Sequence, residues 1–171
     1  MTEAKRPAKR PNPQAAGLMV TAIAFIVLGG VGLALAHHGF AGRYHLSRPV
    51  WIEGMVVEAF FGPPHAEITL NLPADLVLPA FPPDLDTAAA FLDSASLMTP
   101  PVEYGRRVTL ELPPTSQYSS LEARVKAGDR IAAVALRNCE APHQLNVQWL
   151  RLPGGEIVAR AAPMSYMVPS C

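Results

Sequence analysis

The fold is decided by one stretch: Val50-Trp51-Ile52-Glu53-Gly54-Met55-Val56-Val57-Glu58-Ala59-Phe60-Phe61, then Gly62-Pro63-Pro64, then His65-Ala66-Glu67-Ile68-Thr69-Leu70-Asn71-Leu72. The second half alternates cleanly. Ala66, Ile68, Leu70 and Leu72 fall on one face, and His65, Glu67, Thr69 and Asn71 on the other, the two-residue period of a half-buried antiparallel strand. The first half places Ile52, Gly54 and Val56 on one face with Glu53 opposite. Gly54 in mid-strand predicts a bend or bulge, which the coiled strands of a small barrel need. Gly62-Pro63-Pro64 is turn chemistry. Together these segments predict a hairpin.

Working outward, the same signals recur downstream. Arg106 to Leu112 carries Val108, Leu110 and Leu112 on one face. Pro113-Pro114 ends it, and Ser119 or Ser120 is placed to cap a short helix, Leu121 to Lys126, stopped at Ala127-Gly128-Asp129. Ile131 to Arg137 and Leu145 to Leu152 read as strands, and Pro153-Gly154-Gly155-Glu156 turns the chain into a last one, Ile157 to Ala161. Between the hairpin and Arg106, residues 73–102 break the pattern. Their prolines bracket a possible helix, Asp84 to Leu97, with Asp84 or Asp86 as its cap. This segment reads as an excursion on the domain surface. Five or six short strands with one helix before the fourth predict a mainly β domain, a small Greek-key barrel of the OB type. A β-sandwich is the alternative.

Upstream the character changes. Lys5, Arg6, Lys9 and Arg10 against Glu3 give residues 1–36 a charge of +3. Gly17 to Ala36 is uncharged and apolar, and Ala34-Leu35-Ala36 has the small-x-small form of an export cleavage site. Two outcomes stay open for this leader. Gly29, Gly30 and Gly32 favour a cleaved signal peptide; the long basic region with Pro7, Pro11 and Pro13 favours a retained inner-membrane anchor. Cleavage is preferred, and in both cases residues 37–171 face the periplasm. That portion carries a charge of −3, with 10 Lys and Arg against 13 Asp and Glu. An acidic domain is a poor partner for nucleic-acid phosphates, and a membrane partner is expected only if the leader is kept.

Several of these residues resemble a known family. Ala36-His37-His38-Gly39-Phe40 is similar to its Ala-His-His-Ser-Phe start, and Gly62-Pro63-Pro64-His65 to its Trp-x-Asn-Pro-His turn. Val50-x-x-x-Gly54-x-Val56 is similar to its first strand, Val125 to Ile131 to its Leu-x-Pro-Gly-Asp-x-Val segment, and Leu152-Pro153-Gly154-Gly155-Glu156 to its closing hairpin. The family is the exported bacterial domain of unknown function 6152, and the resemblance spans residues 34–72 and 104–160. It implies a signal peptide and a barrel-like periplasmic domain, and it implies no activity.

The chemistry that the residues support is metal binding. A chain cut after Ala36 begins with His37, whose amine and Nδ1 can chelate one ion; His38 or His65 then supplies a third nitrogen. Such a nitrogen set suits copper. Glu67, on the same face as His65, is a ligand or an orienting carboxylate, and His45 is a reserve ligand. His143 with Cys139 and Glu140 forms a weaker cluster. Without a metal, His37 and His38 are simply polar residues after a cut, and His65 is a turn histidine. Cys139 and Cys171, not spaced as a redox pair, are expected to form a structural disulfide tying the tail to the fourth strand. Ser119, Ser120, Asp129 and His143 form no nucleophile elbow, so no enzyme is expected. Trp51 and Trp149 either pack in the core or stack a sugar or base. The expected function is therefore an exported module that binds a transition metal. The alternative is a metal-free module for assembly with a periplasmic or membrane protein.

Overall fold

A computed structural model describes residues 43–63, 65–168 and 170–171. The leader, its cleavage motif, His37 and His38 lie outside the described residues. Among the described residues no helix is long and apolar enough to cross a membrane.

Six strands form: β1 (Val50–Phe60), β2 (Glu67–Asn71), β3 (Arg107–Glu111), β4 (Arg130–Arg137), β5 (Leu145–Arg151) and β6 (Ile157–Ala159). Each falls where alternation or an apolar run predicts it. Antiparallel pairing runs in the order β3-β2-β1-β4-β5-β6. A short parallel contact, Leu110 with Leu145 and Glu111 with Asn146, joins β3 to β5. The pairings β1-β2-β3-β5-β4-β1 therefore close a ring of five strands, with β6 outside it, which is the strand order of a small Greek-key barrel. The helical segment between β3 and β4 also lies where expected, but it starts earlier: α2 (Ser116–Ser119) follows Thr115 and continues as a 3-10 turn, Ser120–Ala123. Gly128, at φ 91°, supplies the left-handed turn into β4.

Gly54 has a different use from the one expected. The β1–β2 register slips between Val56 and Glu58, so the bulge sits at Val57. Gly54 instead admits the Asn71 main chain: a Cβ at residue 54 would stand 2.5 Å from the Asn71 carbonyl oxygen.

Two cores follow from the ring. Inside it pack Ile52, Val56, Ile68, Leu70, Val108, Leu110, Ile131 and Val147, with Tyr118 and Leu121 of the helical segment closing one end. Outside it, β1, β4 and β5 present Trp51, Ala132, Val134, Leu136 and Trp149. That outer face is also covered. Residues 73–102 are not merely a surface excursion, because Leu85, Ala89 and Leu92 pack on it. The predicted Asp84–Leu97 helix is reduced to α1 (Leu85–Ala88) and a 3-10 turn, Ser94–Ser96. Asp84 stands at the α1 N-cap with left-handed geometry and no side-chain cap, whereas Asp93 does cap the second turn. From the other end Met167 completes the cover. Trp51 and Trp149, 1% and 0% exposed with ring centroids 5.8 Å apart, are core residues and cannot stack a ligand.

Candidate functional site

His65 leaves the Gly62-Pro63 turn just before β2, and both of its ring nitrogens are buried, although alternation places it on the polar face. Its carboxylate neighbour is not the expected one. Glu67 is exposed, whereas His65 Nδ1 lies 3.7 Å from Oε1 of Glu111, the last residue of β3. That distance is electrostatic contact rather than a hydrogen bond. Glu111 faces Glu67 directly across the β2–β3 ladder. The next outward pair, Thr69 and Thr109, joins its hydroxyls at 3.0 Å.

Glu111 is buried, its side chain 4% exposed, and His65 is half-buried at 16%. Burial pushes the Glu111 carboxyl up to about 7; the Glu67 charge adds to this and Asn146 pulls it partly back. Neither Glu111 oxygen makes a hydrogen bond of normal geometry among the described residues. Asn146 and Gln148 of β5 extend the buried polar row, with Gln148 Nε2 donating to Asn146 Oδ1 at 2.7 Å. Gln148 is the extra residue where the β4–β5 register slips. Tyr44 and Tyr166, ring centroids 6.3 Å apart, stand near this row. Burial raises both phenols, Tyr166 to about 12, and the Glu111 charge adds to each shift.

The tail is fastened as expected. Cys139 and Cys171 are disulfide-bonded, and Ser170 Oγ donates to the Tyr44 carbonyl at 2.9 Å. The bond takes the two sulfurs that lie near His45 out of any metal set. Among the described residues the one group of three potential ligands within 4.8 Å of one another is His45, Cys139 and Cys171, and its two sulfurs are joined to each other. His143 builds no cluster with Cys139 and Glu140. It takes left-handed φ 60°, its Nδ1 lies 3.1 Å from the Asn138 carbonyl, and its own carbonyl accepts from the Tyr104 hydroxyl.

A surface cleft of about 570 Å³ lies beside His65, lined by Phe61, Pro114, Tyr118, Ser119 and Glu122 among others. Ser119 spends its hydroxyl on the Ser116 carbonyl at 2.8 Å. Glu111 was missed by sequence reasoning, which counts it as one more outward polar residue of β3. The only available signal was its place across from Glu67, and that required the strand register. No protein-family model and no curated protein matches the chain.

Proposed function

We propose that the protein is an exported, periplasm-facing binding module that captures a transition-metal cation, copper preferred, through His65 with His37 and His38. The observation that carries this is the buried Glu111 carboxyl set against His65 on an acidic strand ladder. The carboxyl 3.7 Å from Nδ1 puts negative charge beside the imidazole and favours a cation held there. The paired acidic groups, Glu67 and Glu111, favour a cation over a phosphate or nucleic acid. His65 alone is too few ligands, so the site depends on the amino-terminal histidines. Copper further requires that the cut after Ala36 frees the His37 amine. The disulfide fits an oxidising compartment, and the family resemblance points the same way.

Mass spectrometry of the exported protein's amino terminus, followed by calorimetric copper titration, tests this reading. Binding tighter than micromolar is expected. His65→Ala is expected to abolish it and Glu111→Gln to weaken it about 10–100-fold. Weaker binding in the parent, or an unchanged affinity in His65→Ala, sinks the proposal.

A second reading is favoured by the Pro-rich segment, where Val77 is 75% and Phe81 84% exposed. Here the module docks a periplasmic or membrane protein without metal. Co-purification of a partner that survives chelator, is lost in Phe81→Ser and is kept in His65→Ala distinguishes it.

A further inference from the structure

A second site lies where the chain enters β1 and leaves β4. The His45 main-chain nitrogen donates to the Arg137 carbonyl at 3.0 Å, and Arg48 folds back on the His45 carbonyl at 3.3 Å. These three side chains line a cavity of about 290 Å³ together with Val50, Met98, Pro101 and Glu103. Met98 is held there by the main chain, its nitrogen donating to the Pro49 carbonyl at 3.0 Å and its carbonyl accepting from Trp51 at 2.8 Å.

The charges in this cavity do not balance. Glu103 is its one carboxylate, and it accepts from Arg137 Nη2 at 3.1 Å. The Arg137 guanidinium also stands 6.0 Å from the centroid of the Tyr104 ring, which helps to fix its plane. Its Nε is buried and has no hydrogen-bond partner among the described residues. Arg48 is exposed and is in no ion pair among them. Two permanent cations and an imidazole thus share one carboxylate, in a portion of the chain whose net charge is −3. The same field acts on His45, which is held below the usual imidazole range by burial first and then by Arg137, Arg48 and His143.

An anion placed between Arg48 and Arg137 Nε satisfies the orphaned donor and offsets the excess charge. The apolar part of the lining, Val50, Met98 and Pro101, has no side-chain donors for a second set of oxygens. Burying a sulfate or phosphate against it leaves oxygens unsolvated, whereas a short hydrocarbon chain loses nothing there. We infer that this cavity binds a small organic carboxylate, with its head group on Arg48 and Arg137 and its short apolar chain on Val50, Met98 and Pro101.

The test is a titration of the exported protein with acetate, butyrate and hexanoate, read by NMR at the His45 ring protons, with sulfate as the inorganic comparison. Saturable shifts in the millimolar range or tighter are expected, strengthening from acetate to hexanoate, and at least about tenfold weaker in Arg48→Ala. Arg48 is exposed, so its replacement leaves the fold and copper binding at His65 intact. The absence of saturable shifts, or the same affinity in Arg48→Ala, overturns the site. Sulfate binding as tight as hexanoate overturns its assignment to organic carboxylates.

Discussion

His65 Nδ1 sits 3.7 Å from Glu111 Oε1, and the carboxylate is the more deeply buried of the two. The group that holds a proton near neutrality is therefore sealed inside, and both ring nitrogens of its imidazole neighbour are buried with it.

That burial gives stability a pH dependence. The Glu111 carboxyl is raised from 4.5 to about 7 in the folded protein. Below 4.5 it is protonated folded and unfolded alike, and nothing is lost. Between 4.5 and 7 the unfolded chain releases this proton and the folded one keeps it, so stability falls as pH rises, by up to about 3 kcal/mol in total. Urea unfolding in chelator at pH values on either side of this window is expected to show the fall in the parent. Glu111→Gln is expected to flatten it and to be the more stable protein on the alkaline side. Equal slopes count against the assignment.

The disulfide closes a sequence separation of 32 residues, which chain entropy values at about 3–4 kcal/mol. Cys139→Ser with Cys171→Ser is expected to lose about that much in denaturant unfolding. The tail it frees includes Tyr166, so ultraviolet titration of the variant is expected to show that phenol falling from about 12 toward its ordinary 10.0. A bridge that merely decorates the surface leaves both readouts unchanged.

Residues 73–102 have a buried side and an exposed side, and substitutions separate them. Leu85→Ala and Leu92→Ala empty space over Trp51 and Trp149 and are expected to cost about 2–5 kcal/mol each. Phe81→Ser, at an 84% exposed position, is expected to change stability by less than about 0.5 kcal/mol. Thermal or chemical denaturation of the three variants checks the contrast.

Gly54→Ala drives a methyl group into the Asn71 carbonyl, and because both sides are backbone neither can yield cheaply. A loss of about 1–3 kcal/mol is expected. Gly154→Ala, where a Cβ meets nothing within 4 Å, is the matched control and is expected to be near neutral. Similar unfolding midpoints for the two variants would falsify the close-approach account of Gly54.

The strands were legible because alternation is a local property: Ile68, Leu70 and Leu72 declare their face without reference to any other segment. The outer core was harder to read. Ile131-Ala132-Ala133-Val134-Ala135-Leu136 has no polar alternation, the mark of a strand buried on both sides. That predicts a cover for the outer face of β4 but does not say which residues supply it, and Leu85 and Leu92 lie in a proline-rich stretch that imitates a surface loop. The site divides along the same line. His65 stood out by residue type and by its turn, whereas Glu111 owes its importance to register and burial. The surroundings of His45, with Arg48, Arg137 and a closed disulfide nearby, likewise come from the fold and not from composition.

The contact between β3 and β5 is only two residue pairs long, and one of those pairs is Glu111 with Asn146. The halves β1 to β3 and β4 to β6 are already joined through β1 and β4, and this contact joins them a second time and closes the ring. Glu111 thus sits at the pairing that closes the ring. A ligand gripping the His65–Glu111 corner acts as a clasp on that hem, and by mass action it stabilises the whole closed domain rather than one loop.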